Sequence, residues 1–172
     1  MAVLPILEAP HPLLKARTAP VEAFDEGLRK LALDMFDTMY LAPGIGLAAP
    51  QVGVLKRLCV ADVSDRKKGE EPRRLALVNP EVVWRSSEGD TQEEGCLSLP
   101  NQFADVSRPR AVRVRYRDLE GVERELEADG LLARCLQHEI DHLDGVLFVD
   151  RLSTLKRDMI LRKLQKARRA RA

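Results

Sequence analysis

The run His138-Glu139-Ile140-Asp141-His142 restricts the fold more than any other stretch of the chain. Its chemistry asks for an α-helix, where residues four apart share a face, so that His138 and His142 present two imidazoles to one point. The flanking sequence supplies that helix. Leu132, Leu136, Ile140 and Leu143 recur at three- and four-residue steps, Asp129-Gly130 offers a start and Gly145 a stop. Glu139 sits beside the first histidine, where it can reach a water at the ion without being a ligand. H-E-x-x-H on a helix is the spacing of metal-dependent amide hydrolases. The competing reading is a pair of surface histidines on an amphipathic helix.

A chain of 172 residues suits a single domain, here 1–172, with a sizeable core. Aromatic residues make up only 4%, which disfavours a base-stacking platform. Three cysteines, Cys59, Cys96 and Cys135, form no paired pattern, so a reducing compartment is expected. No apolar run approaches the ~18 residues of a membrane span, and Met1-Ala2-Val3-Leu4-Pro5 lacks the pattern of a signal peptide. These features point to a cytoplasmic protein. Charge is unevenly spread: residues 151–172 carry nine basic side chains against Asp158, a local +8 in a chain of net +1. This basic segment, about 153–172, reads as a final helix with Ser153 as N-cap, carrying Leu155, Met159 and Leu164. It either meets a polyanion or is a solvated helix end.

The rest of the chain alternates short elements. Residues 1–10 read as extended and Pro10-His11-Pro12 as a turn, with His11 at the surface. Phe24, Leu28, Leu31, Met35 and Met39 mark a helix ending near Leu41, before Pro43-Gly44. In Gly44-Ile45-Gly46-Leu47-Ala48-Ala49-Pro50-Gln51 the small side chains allow close backbone approach, and Gln51 offers an amide donor or is merely solvated. Strands are expected over 54–63, 75–78 and 82–84, the last two separated by Asn79-Pro80. Ser86 to Gln92 reads as polar, and Glu93 to Pro100 follows, with a place to bend at Gly95 and a close at Pro100. Residues 112–117 and 122–128 alternate as a hairpin, with Glu123, Glu125 and Glu127 placed to face Arg113, Arg115 and Arg117. Together these give an α+β fold: small antiparallel or mixed sheets around the central H-E-x-x-H helix, with N- and C-terminal helices.

A catalytic site on two histidines needs a third protein ligand and an open position. Cys135 lies seven residues before His142, roughly 10 Å along a helix at ~1.5 Å per residue, too far to share an ion with it. Cys59 sits in an apolar run and reads as packing. Cys96, flanked by Gly95 and polar neighbours, comes ahead of an Asp or Glu, which stays open.

Three stretches together resemble the peptide deformylases: Gly44 to Gln51, Glu94-Gly95-Cys96-Leu97-Ser98, and His138 to Gly145. They stand in that family's order at similar spacing, and the likeness extends over nearly the whole chain, including Ile6-Leu7 to Leu13. One departure is His11, where many members carry an acid between the two prolines. The resemblance implies hydrolysis of the N-formyl group from formyl-methionine of nascent chains, with release of formate. It implies that Cys96, His138 and His142 hold one divalent metal, Fe2+ physiologically, with Zn2+, Ni2+ or Co2+ as substitutes. It assigns Glu139 as general base and acid, and Gln51 with the Leu97 N–H as oxyanion donors. It places the backbones of Gly44, Ile45, Gly46 and Gly95 along the substrate. Ile45, Leu97, Leu131, Cys135 and His138 are the candidates for the methionine pocket. N-formylmethionyl peptides and, through the basic helix, the ribosome are the implied partners; a monomer without membrane contact is expected. The rivals are a general H-E-x-x-H peptidase and an RNA-binding module with a structural ion, although no fourth ligand is evident for the latter.

Overall fold

The computed structural model describes residues 2–171. The chain runs through α1 (Glu26–Leu41), β1 (Gly46–Ala48), β2 (Leu58–Ala61), β3 (Leu75–Arg85), β4 (Gly89–Cys96), β5 (Leu99–Pro109), β6 (Ala111–Arg117), β7 (Glu123–Asp129), α2 (Gly130–Leu143) and α3 (Thr154–Arg171). Five strands form an antiparallel sheet in the order β1-β2-β3-β6-β7, and β4 and β5 form a separate antiparallel pair. The expected α+β class, with helices at both ends and the H-E-x-x-H helix central, is what the fold shows.

α1 and α2 cover opposite faces of the larger sheet. Leu58 and Val60 of β2 pack with Leu28, Met35 and Met39 of α1, while Cys59 and Ala61 pack with Leu136, Ile140 and Leu143 of α2. Period-two alternation therefore buries β2 on both sides. Asp25 caps α1, accepting from Leu28 N at 3.0 Å. A third apolar cluster joins Leu99 and Val106 of β5 to Phe148, Ile160 and Leu164. α3 thus docks through Ile160 and Leu164; the expected stripe is shifted, because Leu155 and Met159 stand 71% and 47% exposed.

Three expectations about strands need correction. The strand expected over 54–63 is confined to Leu58–Ala61. The stretch from Ser86 to Cys96, where no strand is expected, supplies β4, and Pro100 lies inside β5 instead of closing the segment. Asn79-Pro80 does not separate two strands: Leu75–Arg85 is one strand with a register shift between Val78 and Glu81. The reason is local. Asn79 takes φ +51, a conformation asparagine tolerates better than most residues. Its side chain then clamps Val21, accepting from Val21 N at 2.8 Å and donating to Val21 O at 3.0 Å. The bulge absorbs the proline, which has no N–H for the ladder. The 111–129 hairpin is as expected, with Arg113 pairing to Glu127 at 2.9 Å and Glu125 at 3.3 Å, and Arg115 to Glu123 at 3.6 Å.

Asn79→Ala removes both clamp bonds and places at positive φ a residue that tolerates it less well than asparagine, so it should cost about 2–3 kcal/mol in urea unfolding. Asn79→Gly loses the bonds alone and should cost about 1 kcal/mol less. Equal losses for the two variants would show that the backbone conformation contributes nothing.

Candidate active site

Cys96 ends β4 at a register shift, just before the tight turn through Leu97 and Ser98 into β5. That turn carries its thiol over α2. Cys96, His138 and His142 each offer a ligand atom, all within 4.8 Å of one another, and Cys96 Sγ lies 3.3 Å from His142 Nε2. His142 is fully buried, and burial together with the nearby His138 pushes its pKa well below the usual imidazole value, which favours the neutral form. Burial opposes charge on His138, but Glu139, Cys96 and Glu94 outweigh it and raise its pKa well above the usual value, so this corner favours positive charge.

The orientation of His138 is set by Glu94. Burial opposes ionisation of Glu94, yet hydrogen bonds from His138 and Arg108 outweigh it and hold the carboxyl at about 2. An ionised carboxylate only accepts, so His138 Nδ1 donates to Glu94 Oε1 at 2.9 Å; the same anionic surroundings that favour a proton on Nε2 would favour a metal cation in that proton's place. Arg108 holds Glu94 bidentately through Nε at 2.5 Å and Nη2 at 2.9 Å, and Arg134 Nη1 adds a bond of 2.6 Å. Arg108 also donates to Asp141 at 3.0 Å, one turn along α2. This ionic network ties the β4–β5 hairpin to the helix. The donor set passes the test for a divalent cation: a thiol and two imidazoles converge, one imidazole held neutral and the other fixed by a carboxylate.

Glu139 turns the other way, against β1. Burial raises its pKa to about 7, and its Oε1 is buried without a protein partner. Gly46 makes room for it: a Cβ there would collide with Glu139 Oε2 and come within 2.8 Å of Cys135 Sγ. Cys135 is buried, with a pKa raised by burial and by Glu139, and its thiol donates to Ile45 O at 3.5 Å. It borders the cavity and lies outside the converging Cys96-His138-His142 set, and Cys59 is core.

Gln51 is 1% exposed, so the solvated alternative is ruled out. Its Oε1 accepts from Ala48 N at 2.9 Å, which points Nε2 at Ser98 Oγ (3.1 Å) and Cys96 Sγ (3.6 Å). Residues 7–9 strap this corner: Leu7 N donates to Gln51 O and Ala9 N to Ser98 O. Among the described residues, nothing accepts from the backbone N–H of Leu97.

These residues line one cavity of about 650 Å³, between the free edge of β1 and the end of β4. Gly44, Ile45, Gly46, Gln51, Gly95, Cys96, Leu97, Leu131, Cys135, His138 and Glu139 all border it; His142 lies beneath. His11 stays at the surface, where its ring caps a short turn by accepting from Leu13 N. Sequence reasoning missed Arg108, Arg134, Asp141 and the orienting role of Glu94. Only Arg134, one helical turn before His138, carried any signal, and a buried arginine is not visible in a sequence.

The model of the polypeptide deformylase family matches residues 3–158. A peptide deformylase of Rhizobium meliloti is 54% identical over 171 residues, covering 99% of this chain and 97% of that protein. The crystal structure of a Legionella pneumophila peptide deformylase superposes with TM-score 0.91 at 48% identity, covering 99% of this chain and 98% of the other. That of an Ehrlichia chaffeensis peptide deformylase in complex with actinonin gives TM-score 0.91 at 44% identity, covering 97% and 98%. A Cys-His-His cluster on an H-E-x-x-H helix, this fold and relatives matched from end to end converge on one assignment: the chain belongs to the peptide deformylase family.

Proposed function

We propose that this protein hydrolyses the N-formyl group of formyl-methionine at the start of nascent polypeptides, releasing formate, with Glu139 as the proton carrier of a metal-assisted reaction. The observation that carries the reading is the convergence of Cys96, His138 and His142 within 4.8 Å, beside Glu139, in a chain of this family. Cys96, His138 and His142 would hold one divalent ion, which we assign as Fe2+, with Zn2+, Ni2+ or Co2+ able to replace it. When bound, such an ion supplies Lewis-acid activation of water and carbonyl at neutral pH.

The remaining chemistry falls to side chains and backbone. Glu139, buried and raised to about 7, accepts a proton from the attacking water and returns it to the leaving amine. Gln51 Nε2 and the Leu97 N–H donate to the oxygen on which negative charge grows; each such donor typically lowers a barrier by ~3–4 kcal/mol. Gly44, Ile45, Gly46 and Gly95 align the substrate backbone beside the free strand edges. The methionine side chain takes the apolar part of the cavity among Ile45, Leu97, Leu131, Cys135 and His138. A linear formamide suits this site because the carbon under attack carries hydrogen where other amides carry a carbon substituent, so little clearance is needed.

We further assign the basic α3 as a contact with ribosomal RNA, acting from a monomeric, cytoplasmic enzyme composed as one domain over 1–172. Support comes from charge: Arg162, Lys163, Lys166 and Arg169 are exposed along this helix. Among the described residues no helix is long and apolar enough to cross a membrane.

Anaerobically purified protein with its metal measured should release formate from formyl-Met-Ala-Ser, and Glu139→Gln should keep the metal while losing at least ~10²-fold in turnover. No formate from fully loaded protein, or internal cleavage of an unformylated peptide, would overturn the reading. Gly46→Ala should lower kcat by a similar ~10²-fold with metal content retained, since its methyl displaces the Glu139 carboxylate; normal turnover would mean that carboxylate position is unimportant. Ribosome binding should weaken steeply with salt and on truncation after Ser153, and salt-independent binding would remove α3 from the contact.

A further inference from the structure

One wall of the reaction cavity is the short span from the end of α1 to the start of β1, where Ala42, Pro43, Gly44, Ile45 and Gly46 all border it. Its helix end is fixed by Ala42 N donating to Thr38 O at 3.1 Å and Gly44 N to Met39 O at 2.7 Å. Its strand end is fixed by Asp62, the residue after β2, whose N–H donates to Ile45 O at 2.9 Å. Along an antiparallel strand, successive residues turn their peptide groups to opposite edges. With Ile45 bonded toward β2, Gly46 turns its N–H and C=O to the free edge of β1, on the cavity side. Ile45 O accepts one further bond, from Cys135 Sγ at 3.5 Å, but a thiol is a weak donor.

The Asp62 side chain is anchored on both oxygens, in a residue only 4% exposed. Oδ2 accepts from the Tyr40 hydroxyl at 2.5 Å. Oδ1 accepts from Ser64 Oγ at 2.5 Å, Ser64 N at 3.0 Å and Arg73 N at 3.3 Å. Burial opposes ionisation of Asp62, yet the bonds from Ser64 and Tyr40 outweigh it and hold the carboxyl below its usual range. Burial and Asp62 raise the Tyr40 phenol, so it remains the donor. The Tyr40 ring is held as well, with the guanidinium groups of Arg66 and Arg74 at 4.9 and 5.4 Å from its centroid. One buried carboxylate thus joins the last turn of α1, the 62–74 loop and the cavity edge at Ile45. Burying a charge is costly, and an apolar side chain would fill the space without that cost. What the carboxylate adds is direction, because each bond fixes one segment relative to Ile45.

We propose that Asp62, held by Tyr40, is a positioning residue for substrate binding: the pair sets the backbone of Ile45 and Gly46 so that the edge of β1 meets the peptide backbone of the formylated substrate. The proposal rests on the deformylase reading, and the experiment separates the two. Formate release from formyl-Met-Ala-Ser by the wild-type enzyme tests the reaction, and two variants test the pair. Asp62→Asn leaves one acceptor oxygen for donors on both sides, and Tyr40→Phe keeps the ring and its cation contacts but loses the hydroxyl. For metal-loaded enzyme, KM should rise about fivefold in Asp62→Asn and about threefold in Tyr40→Phe, the scale of one poorly met hydrogen bond. The kcat should stay within about twofold, because Glu139 and the Cys96-His138-His142 set stand on α2 and β4. A merely structural role would lower the folded fraction, and with it the apparent kcat, while leaving KM in place. Asn79→Ala, destabilised away from the cavity, should therefore keep the wild-type KM. Hydrogen exchange reads the same effect without substrate: the amides of Gly44 and of position 62 should exchange at least about threefold faster in Asp62→Asn. If Asp62→Asn does not fold, Tyr40→Phe decides by the same KM and exchange readouts. An unchanged KM in the folded variants, an equal KM rise in Asn79→Ala, or unaltered exchange would overturn the proposal.

Discussion

Glu94 accepts four hydrogen bonds, from Arg108, Arg134 and His138, with a side chain only 5% exposed. Burying ions costs several kcal/mol each, and a single missing partner leaves an uncompensated charge. Here the cost is offset because bonds come from three directions and satisfy both carboxylate oxygens. The consequence is geometric. β4 and β5 touch the larger sheet at no shared rung, and this ionic joint, Arg108 reaching Asp141 and Gln137 Nε2 donating to Pro109 O at 2.9 Å tie them to α2. Cys96 is two residues from Glu94 on the same strand. The carboxylate that fixes the His138 ring therefore also fixes the strand that delivers the thiol.

The two glutamates show how environment divides labour between like groups. Both are buried near His138. Glu94 is surrounded by guanidinium groups and stays ionised, at about 2. Glu139 has no such partners, keeps one oxygen unbonded and is lifted to about 7. A permanent charge suits an anchor, and a group that titrates near neutrality suits proton transfer. Gly46 contributes by having no side chain, because the space its Cβ would fill is where the Glu139 carboxylate rests.

The parts legible in the sequence were those with a strong local period. The H-E-x-x-H helix, α1 and the 111–129 hairpin each announce themselves through repeating apolar positions or alternating charge. β4 and β5 were not legible for a physical reason. The alternating side chains Asp90, Gln92 and Glu94 of β4 are all polar, and the buried one, Glu94, meets Arg108 and Arg134. A strand whose buried face is held by ions looks like a polar loop to any reading based on hydrophobic periodicity. Cys96 emerged from elimination, and the family resemblance supplied the choice over an acid. No feature of the sequence pairs Arg108 or Arg134 with Glu94, because those contacts join residues 14 and 40 positions apart. Asn79-Pro80 failed differently: the dipeptide does disrupt the ladder, but a side-chain clamp on Val21 lets the strand continue.

α3 is more than a charged appendage. Ile160 and Leu164 pack in the cluster that holds Phe148, whose ring stacks on His138 at a centroid distance of 6.2 Å. At its far end Arg168 donates to Ala9 O at 3.0 Å, and Arg171 reaches Glu8. Ala9 in turn donates to Ser98 O, while Ser98 Oγ receives the Gln51 amide. The helix thus buttresses the cavity at two points, behind His138 and behind Gln51. This explains why its apolar stripe lies at Ile160 and Leu164: those are the positions that face the cluster when the basic end is moored to residues 8 and 9. The cations used for mooring leave Arg162, Lys163, Lys166 and Arg169 pointing outward, so one helix can support the site and still present positive charge to a polyanion.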